Sequence, residues 1–567
     1  MDIRNLNHRV TVSEQIRVVD IEQLKRLGVT TIICNRPDNE EPGQLTFEKL
    51  RTAASVLKIN SLHIPFIGNQ MSLNDIDQLS NLLADNQRIH LFCKSGKRSS
   101  LLWALAGMKL GYRKELILKH LGDAGYKFDK AELDKLVHKK LAGEAMGSPL
   151  STLGRQAIEH FDVLIIGGGS GGLSVCASLL KRRKNLTIGV IEPNHKLYYQ
   201  PGWTMVGGGV FKAVTTQKFT KHFIPKGVRW LQHAAIDIQP DRHLVELQSS
   251  EHVHYQQLII ATGLELNWGA IEGLKDTLGR NGVTSNYRYD LASYTWDLVQ
   301  ALKSGRALFT QPPMPIKCAG APQKAMYLSA DHWLKSGVLA NIDIQFHSSG
   351  DSIFGVADYV PALNQYLEKY SIDLNFKQTL IKIDGERKLA TFSHMDPNGD
   401  CKTVETKFDM IHVCPPQRAN KFIRESGLSD QDGWLDVNKE TLNHSTYHNV
   451  WGLGDVVNCP NAKTLAAVRK QVPVVAVNVL HALDGQQPTA AYDGYGSCPL
   501  TVERGKIVLA EFVYGGKHSP TFPEWLNDGT KPTRFGWFLK SRVLPYVYWH
   551  QMLKGVEWFT KPKKTSN

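Results

Sequence analysis

Several features are missing from the 567-residue chain, and each absence removes a class of protein. No run reaches the ~18 continuous apolar residues of a membrane-spanning helix, so an integral helical membrane protein is excluded. The opening MDIRNLNHRV lacks the basic-then-apolar layout of a secretory signal, and a secreted protein is not expected. Cysteines number only 8, with no Cys-x-x-Cys pair, which argues against a disulfide scaffold and a zinc ribbon; no metal is expected. No fixed-period repeat or low-complexity tract occurs. What is present suits a globular protein with sizeable cores: 42% hydrophobic and 21% charged residues. The length predicts about three or four domains. One surplus needs an explanation, the 67 Lys and Arg against 54 Asp and Glu, a net charge of +13.

Residues 1–140 alternate short apolar runs (TTIICN, SLHIPF, IHLFCK) with helical stretches (LTFEKLRTAASVLK, LNDIDQLSNLLAD, SLLWALAGMKL), a small α/β pattern. Residues 141–160, LAGEAMGSPLSTLGRQAIEH, are small and polar with a Gly-Ser-Pro break and read as a linker. Strands and helices alternate again over 161–530, and residues 531–567 turn basic and aromatic.

The strongest local signal is FDVLIIGGGSGGLSVCASLLKRR, an apolar strand running into Gly167-x-Gly169-x-x-Gly172 and then a helix. The first glycine permits the tight turn, the second lets a pyrophosphate approach, and the third lets helix and strand pack closely. The helix start offers free N–H groups and partial positive charge to the phosphates. A second strand, LTIGVIE, ends about twenty residues on at Glu192, a carboxylate able to accept from a ribose hydroxyl. Two later segments, Leu258 to Gly263 (LIIATG) and Trp451 to Asp455 (WGLGD), resemble the motifs of two-dinucleotide-domain flavoproteins. That resemblance implies FAD, with Thr262, Gly263 and Gly454 at its edge and Asp455 on its ribityl chain or pyrophosphate. A second glycine loop for a nicotinamide is missing. In its place stands Gly305 to Lys324, GRALFTQPPMPIKCAGAPQK, where paired prolines remove N–H donors. Electrons are therefore expected from a substrate acting on the flavin directly or through protein thiols.

Residues 161 to about 560 resemble sulfide:quinone oxidoreductases. The matching segments are KLYYQPGWTMVGGG, IKCAGAPQKAMYLS, WGLGDVVNCPNAKTLAAV and YDGYGSCPL. The resemblance implies that Cys318 and Cys498 form the redox pair beside FAD. It further implies attack by hydrosulfide on their disulfide or trisulfide, with Cys498 leaving as thiolate and Cys318 holding a persulfide. Electrons then pass to a membrane quinone, and sulfane sulfur to a small thiol or sulfite. Lys317 is a candidate for favouring the thiolate. Cys34, Cys176, Cys401, Cys414 and Cys459 read as packing.

In the N-terminal part, Cys93-Lys-Ser-Gly-Lys-Arg98 follows an apolar strand and opens a helix, a loop suited to a thiolate, an oxyanion or a persulfide. Arg98 comes one position early for a tyrosine phosphatase. Residues 1 to about 115 are similar to a small phosphatase-like family found fused to sulfur-metabolism enzymes and classed as sulfur transferases. Sulfur transfer is the favoured expectation and phosphatase activity the alternative, with Asp75 read as a helix-start acid rather than a general acid. For the flavin part, the alternative is a type II NADH:quinone reductase.

Residues 531–567 hold eight Lys or Arg against the single acid Glu557, over half of the net charge. Aromatic and aliphatic residues are interleaved, and Pro545 is expected to split the stretch into two short amphipathic helices lying on a membrane. No nucleic-acid recognition fold accompanies the charge. The expected fold is therefore α/β: a phosphatase-like domain, two Rossmann-like dinucleotide-binding domains, and a membrane-docking segment. The expected location is cytoplasmic, on the inner face of the cell membrane.

Overall fold

A computed structural model describes residues 2–129, 133–137 and 159–565, apart from 8–9, 69, 85–87, 110–113, 134–135, 250, 396–400 and 461. The chain divides into two compact units at Glu159/His160, with residues 246–252 grouped with the first. Most of the linker expected over 141–160 lies outside the described residues.

The first unit is built on a sheet ordered Arg4–Asn5, Val10–Ser13, Ile89–Phe92, Thr31–Cys34, Asn60–His63. The last four strands pair in parallel. Thr31–Cys34 and Ile89–Phe92 are buried at every position, as parallel strands covered on both faces require. Helices Phe47–Val56, Leu73–Ala84 and Lys97–Lys109 arise where the sequence carries helical periodicity.

The second unit holds two sheets, the first of seven strands and the second of five, each built around parallel pairs. In one, Arg229–Leu231, Ile188–Ile191, Glu159–Ile166, His252–Ile260 and Val450–Gly452 are successive neighbours. In the other, the order is Val283–Thr284, Met410–His412, Gly305–Gln311, Ile342–Ser348, Ile372–Phe376. Its core gathers Phe309, Trp333, Phe346 and Tyr359 with Cys498 among them. Strands Gly496–Glu503 and Lys506–Val513 form an antiparallel hairpin beside it.

Pro545 does not split the C-terminal segment. Helix Arg534–Phe538 passes through a π-type turn, Leu539–Val543, directly into helix Leu544–His550. The wider turn immediately precedes the proline, whose missing N–H would otherwise have broken the ladder. Tyr548, Trp549, Met552 and Leu553 are buried, whereas Phe538, Tyr546, Trp558 and Phe559 are exposed. Among the described residues, no helix is long and apolar enough to cross a membrane.

Candidate active site around Cys318 and Cys498

Three turns converge at the ends of the seven-stranded sheet. Strand Glu159–Ile166 leads into Gly167, and Gly169 caps helix Ser170–Arg182. A Cβ on Gly172 would sit 1.8 Å from the Gly167 carbonyl oxygen, so only glycine lets the helix pass that close. Gly169, by contrast, faces open space, with nothing within 4 Å of where its Cβ would be. Glu192 curls back on this loop. Its Oε2 accepts from Gly168 N at 2.9 Å, and its Oε1 accepts from Asn194 N and Nδ2, both at 2.7 Å. A carboxylate has about four acceptor sites, so capacity remains for a ribose hydroxyl.

The second turn is fixed by Ala261 N donating to Ile166 O at 2.9 Å, and the third by Leu453 N donating to Ile260 O at 3.1 Å. They carry Thr262-Gly263 and Gly454-Asp455 to the same edge. Thr262 Oγ1 is buried and has no partner among the described residues. Burial pushes the Asp455 carboxyl up, while Lys317 and Lys463 pull it down. The open floor at Gly169 and the orphaned Thr262 hydroxyl fit a dinucleotide such as FAD. Gly167, Gly169, Gly172, Glu192, Thr262, Gly263, Gly454 and Asp455 are the residues that would hold it.

In the second unit's five-stranded sheet, strand Gly305–Gln311 and helix Ala321–Lys335 flank the loop where a glycine-rich turn would otherwise stand. That loop carries Cys318, whose backbone is left-handed at φ 51°. Four contacts pin it. Cys318 N donates to Lys463 O at 2.9 Å, and Ala321 N donates to Cys318 O at 2.7 Å. Lys317 N donates to Gln417 Oε1 at 2.7 Å, and the buried Tyr287 hydroxyl donates to Lys317 O at 3.3 Å. Cys498 lies in strand Gly496–Glu503, opposite Ala510. A Cβ on Gly320 would be 3.8 Å from Cys498 Cβ. The structure therefore brings the two cysteines together as free thiols packed in one buried cluster.

The pair is electrostatically unequal. Hydrogen bonding with Cys498, followed by the charge of Lys324, holds the Cys318 thiol well below its ordinary value despite burial. The same bond and burial push Cys498 well above it. Lys324, only 2% exposed, donates through Nζ to Cys318 Sγ at 3.0 Å. Elsewhere burial pushes Cys34, Cys176 and Cys414 up to about 12, and Cys459 up to about 11.

Two further lysines surround the site. Lys463 donates to Asp455 O at 2.8 Å and Val457 O at 2.6 Å, lies over the Trp434 ring, and is pushed down to about 8 by burial. Lys540 arrives from the C-terminal segment, 3% exposed, with Nζ donating to Pro201 O at 3.0 Å. Burial, and then the charge of Lys324, push it down to about 7. The sequence reading singled out Lys317 instead. Its ammonium donates to Gln200 and lies over the rings of Trp203 and Tyr287. Lys324 was discoverable, since it stands one turn into the helix that follows Cys318. Lys463 and Lys540 carry no local signal.

In the first unit, Cys93 is buried at the end of strand Ile89–Phe92, and Arg98 lies in the first turn of helix Lys97–Lys109. Arg98 donates to Phe66 O at 2.9 Å and to Glu40 Oε2 at 2.9 Å. Lys94 pairs with Glu41, while the buried Arg36 pairs with Glu40 at 2.7 Å and Glu41 at 2.6 Å. Two carboxylates thus meet three cations beside the cysteine loop. Asp75 is a cap: its carboxylate accepts from Ser72 N at 2.6 Å, and Ser72 Oγ accepts from Asp75 N at 3.2 Å.

Comparison with known proteins follows the same division. Residues 2–109 match the family "Beta-lactamase hydrolase-like protein, phosphatase-like domain", and residues 161–298 match "Pyridine nucleotide-disulphide oxidoreductase". A mitochondrial sulfide:quinone oxidoreductase of Dictyostelium discoideum is 40% identical over 431 residues, covering 76% of this chain and 93% of that protein. Its counterpart from Mus musculus is 36% identical, covering 70% and 88%. The crystal structure of the Aquifex aeolicus sulfide:quinone oxidoreductase superposes with a TM-score of 0.60 at 18% identity, over 72% of this chain and 98% of that one, a likeness of fold.

Proposed function

The chain belongs to the sulfide:quinone oxidoreductase family, and from that premise we propose that it oxidises sulfide at Cys318 and Cys498 and carries the sulfur onward. The observation that carries the reading is the unequal thiol pair with Lys324 on Cys318 Sγ. Hydrosulfide attacks the Cys498 sulfur of the oxidised pair. The S–S bond breaks, Cys498 becomes a persulfide, and Cys318 leaves as the thiolate that Lys324 stabilises, because the better-stabilised thiolate leaves faster. This reverses the roles that the sequence resemblance implied for the two cysteines. A small thiolate or sulfite takes the outer sulfur and frees the Cys498 thiolate. Bound FAD supplies the two-electron acceptor that restores the disulfide and the path for those electrons to a quinone.

The reading extends to Cys93 as a sulfur-carrying thiol. Its support is the pairing of Arg98 and Lys94 with Glu40 and Glu41, which opposes entry of a phosphate dianion. It extends also to a peripheral place on the inner face of the cell membrane, supported by the exposed Phe538, Tyr546, Trp558 and Phe559 among basic residues.

The test is anaerobic addition of sulfide to the purified protein, followed by a soluble quinone. Sulfide should bleach the flavin and quinone restore it. Cys318→Ala and Cys498→Ala should each abolish turnover while the protein stays yellow, and sulfane label should appear on Cys93 of the wild type. Bleaching by NADH and not by sulfide, or full turnover by either variant, would reject the sulfide site. Absence of label on Cys93 together with strong phosphatase activity would reject the sulfur-carrying role alone.

A further inference from the structure

The C-terminal segment does more than offer an exposed face. Its buried side closes around the helix that starts at the glycine loop. Tyr548, 1% exposed, sits beside Ser170, the first residue of that helix, with the two hydroxyl oxygens 2.9 Å apart. The Tyr548 hydroxyl also lies 3.2 Å from Tyr198 O, a carbonyl that can only accept. The chain of hydrogen bonds therefore runs from the Ser170 hydroxyl to Tyr548 and from Tyr548 to Tyr198. The Tyr548 ring also packs on Tyr199 at a centroid distance of 5.0 Å.

Further along the same helix, Glu557 accepts from Ser178 Oγ at 2.6 Å and pairs with Arg182 at 2.7 Å. A Cβ on Gly555 would stand 2.8 Å from the backbone of Ala177, so the segment touches the helix backbone itself. One segment thus grips both the start and the end of the helix whose N-terminus must face the pyrophosphate.

We propose that Tyr548 is a positioning residue for FAD: acting through Ser170, it fixes the first turn of the glycine-loop helix and so holds the cofactor. The proposal rests on the flavin reading. A helix start that binds phosphate does so with backbone N–H groups, and their aim depends on how firmly the first residue is held. Tyr548→Phe keeps the ring and its packing but leaves the Ser170 hydroxyl and the Tyr198 carbonyl without their partner.

The experiment is titration of apo-protein with FAD, followed by quenching of flavin fluorescence, for wild type, Tyr548→Phe, Ser170→Ala and the double variant, with apo-protein melting measured alongside. Tyr548→Phe should weaken FAD binding by about fivefold, the loss of roughly one neutral hydrogen bond. The same change made on Ser170→Ala should produce no further loss, because the residue through which it acts is gone. Unchanged FAD affinity in Tyr548→Phe overturns the proposal, as does an equal loss in both backgrounds. A lowered apo-protein melting temperature without a change in FAD affinity also overturns it, since it would make Tyr548 merely structural. A wild-type protein that takes up no FAD would instead refute the flavin reading on which the proposal stands.

Discussion

Lys540 shows what a single residue costs and what it does. Burial holds its pKa at about 7 in the folded protein, while an unfolded chain keeps the proton to about 10.4. Between those values the unfolded state binds more protons, so this group makes stability rise with pH from about 7 to about 10 and penalises the fold fully below that window. Lys540→Met removes the penalty. Its stability relative to wild type should be greatest near pH 6.5 and should fall steadily towards pH 9.5 in paired thermal melts. A difference independent of pH would refute the burial argument. At this scale the sequence was partly readable. Cys318 and Cys498 stood within distinctive segments, IKCAGAPQK and YGSCPL. The lysines around them did not, because Lys463, whose carbonyl accepts from Cys318 N, and Lys540 come to the site only through the tertiary fold.

At the scale of elements, the strand, glycine loop and helix at 163–182 could be read directly, because Gly172 answers a steric demand within the protein and Gly169 leaves the loop open to a ligand. The two positions differ, and the difference is measurable. Gly172→Ala drives a methyl group into the Gly167 carbonyl, so apo-protein melting should drop and flavin should be lost. Gly169→Ala meets nothing in the protein, so apo-protein melting should stay within a degree or two (about the effect of a neutral surface change) while flavin is still lost. Equal melting for the two variants would contradict this reading of the loop. The C-terminal helix was less legible. Pro545 carries a strong breaking signal, but the π-type turn before it has no signature in composition or periodicity.

For the whole molecule, the opening surplus of positive charge acquires two faces. One face of the C-terminal segment is buried against helix Ser170–Arg182, and the other exposes Phe538, Tyr546, Trp558 and Phe559. Deleting the segment would therefore remove core along with the exposed surface. The cleaner test replaces those four exposed residues with serine and measures co-sedimentation with anionic vesicles. Binding should fall by at least about tenfold, since each aromatic ring contributes apolar burial at the interface, with the flavin spectrum unchanged. Undiminished binding would reject the membrane reading. The sequence located this charge. Its burial pattern could not be read, because the same aromatic residues serve equally well for a core or a lipid surface.

Cys318 sits at φ 51°, a conformation in which a side chain costs about 1–2 kcal/mol and glycine costs none. Judged by folding alone, glycine would be the better residue there. On the proposed reading, stability and turnover are selected in opposite directions at this position, and a search for a more robust protein that ignored catalysis would favour discarding the thiol.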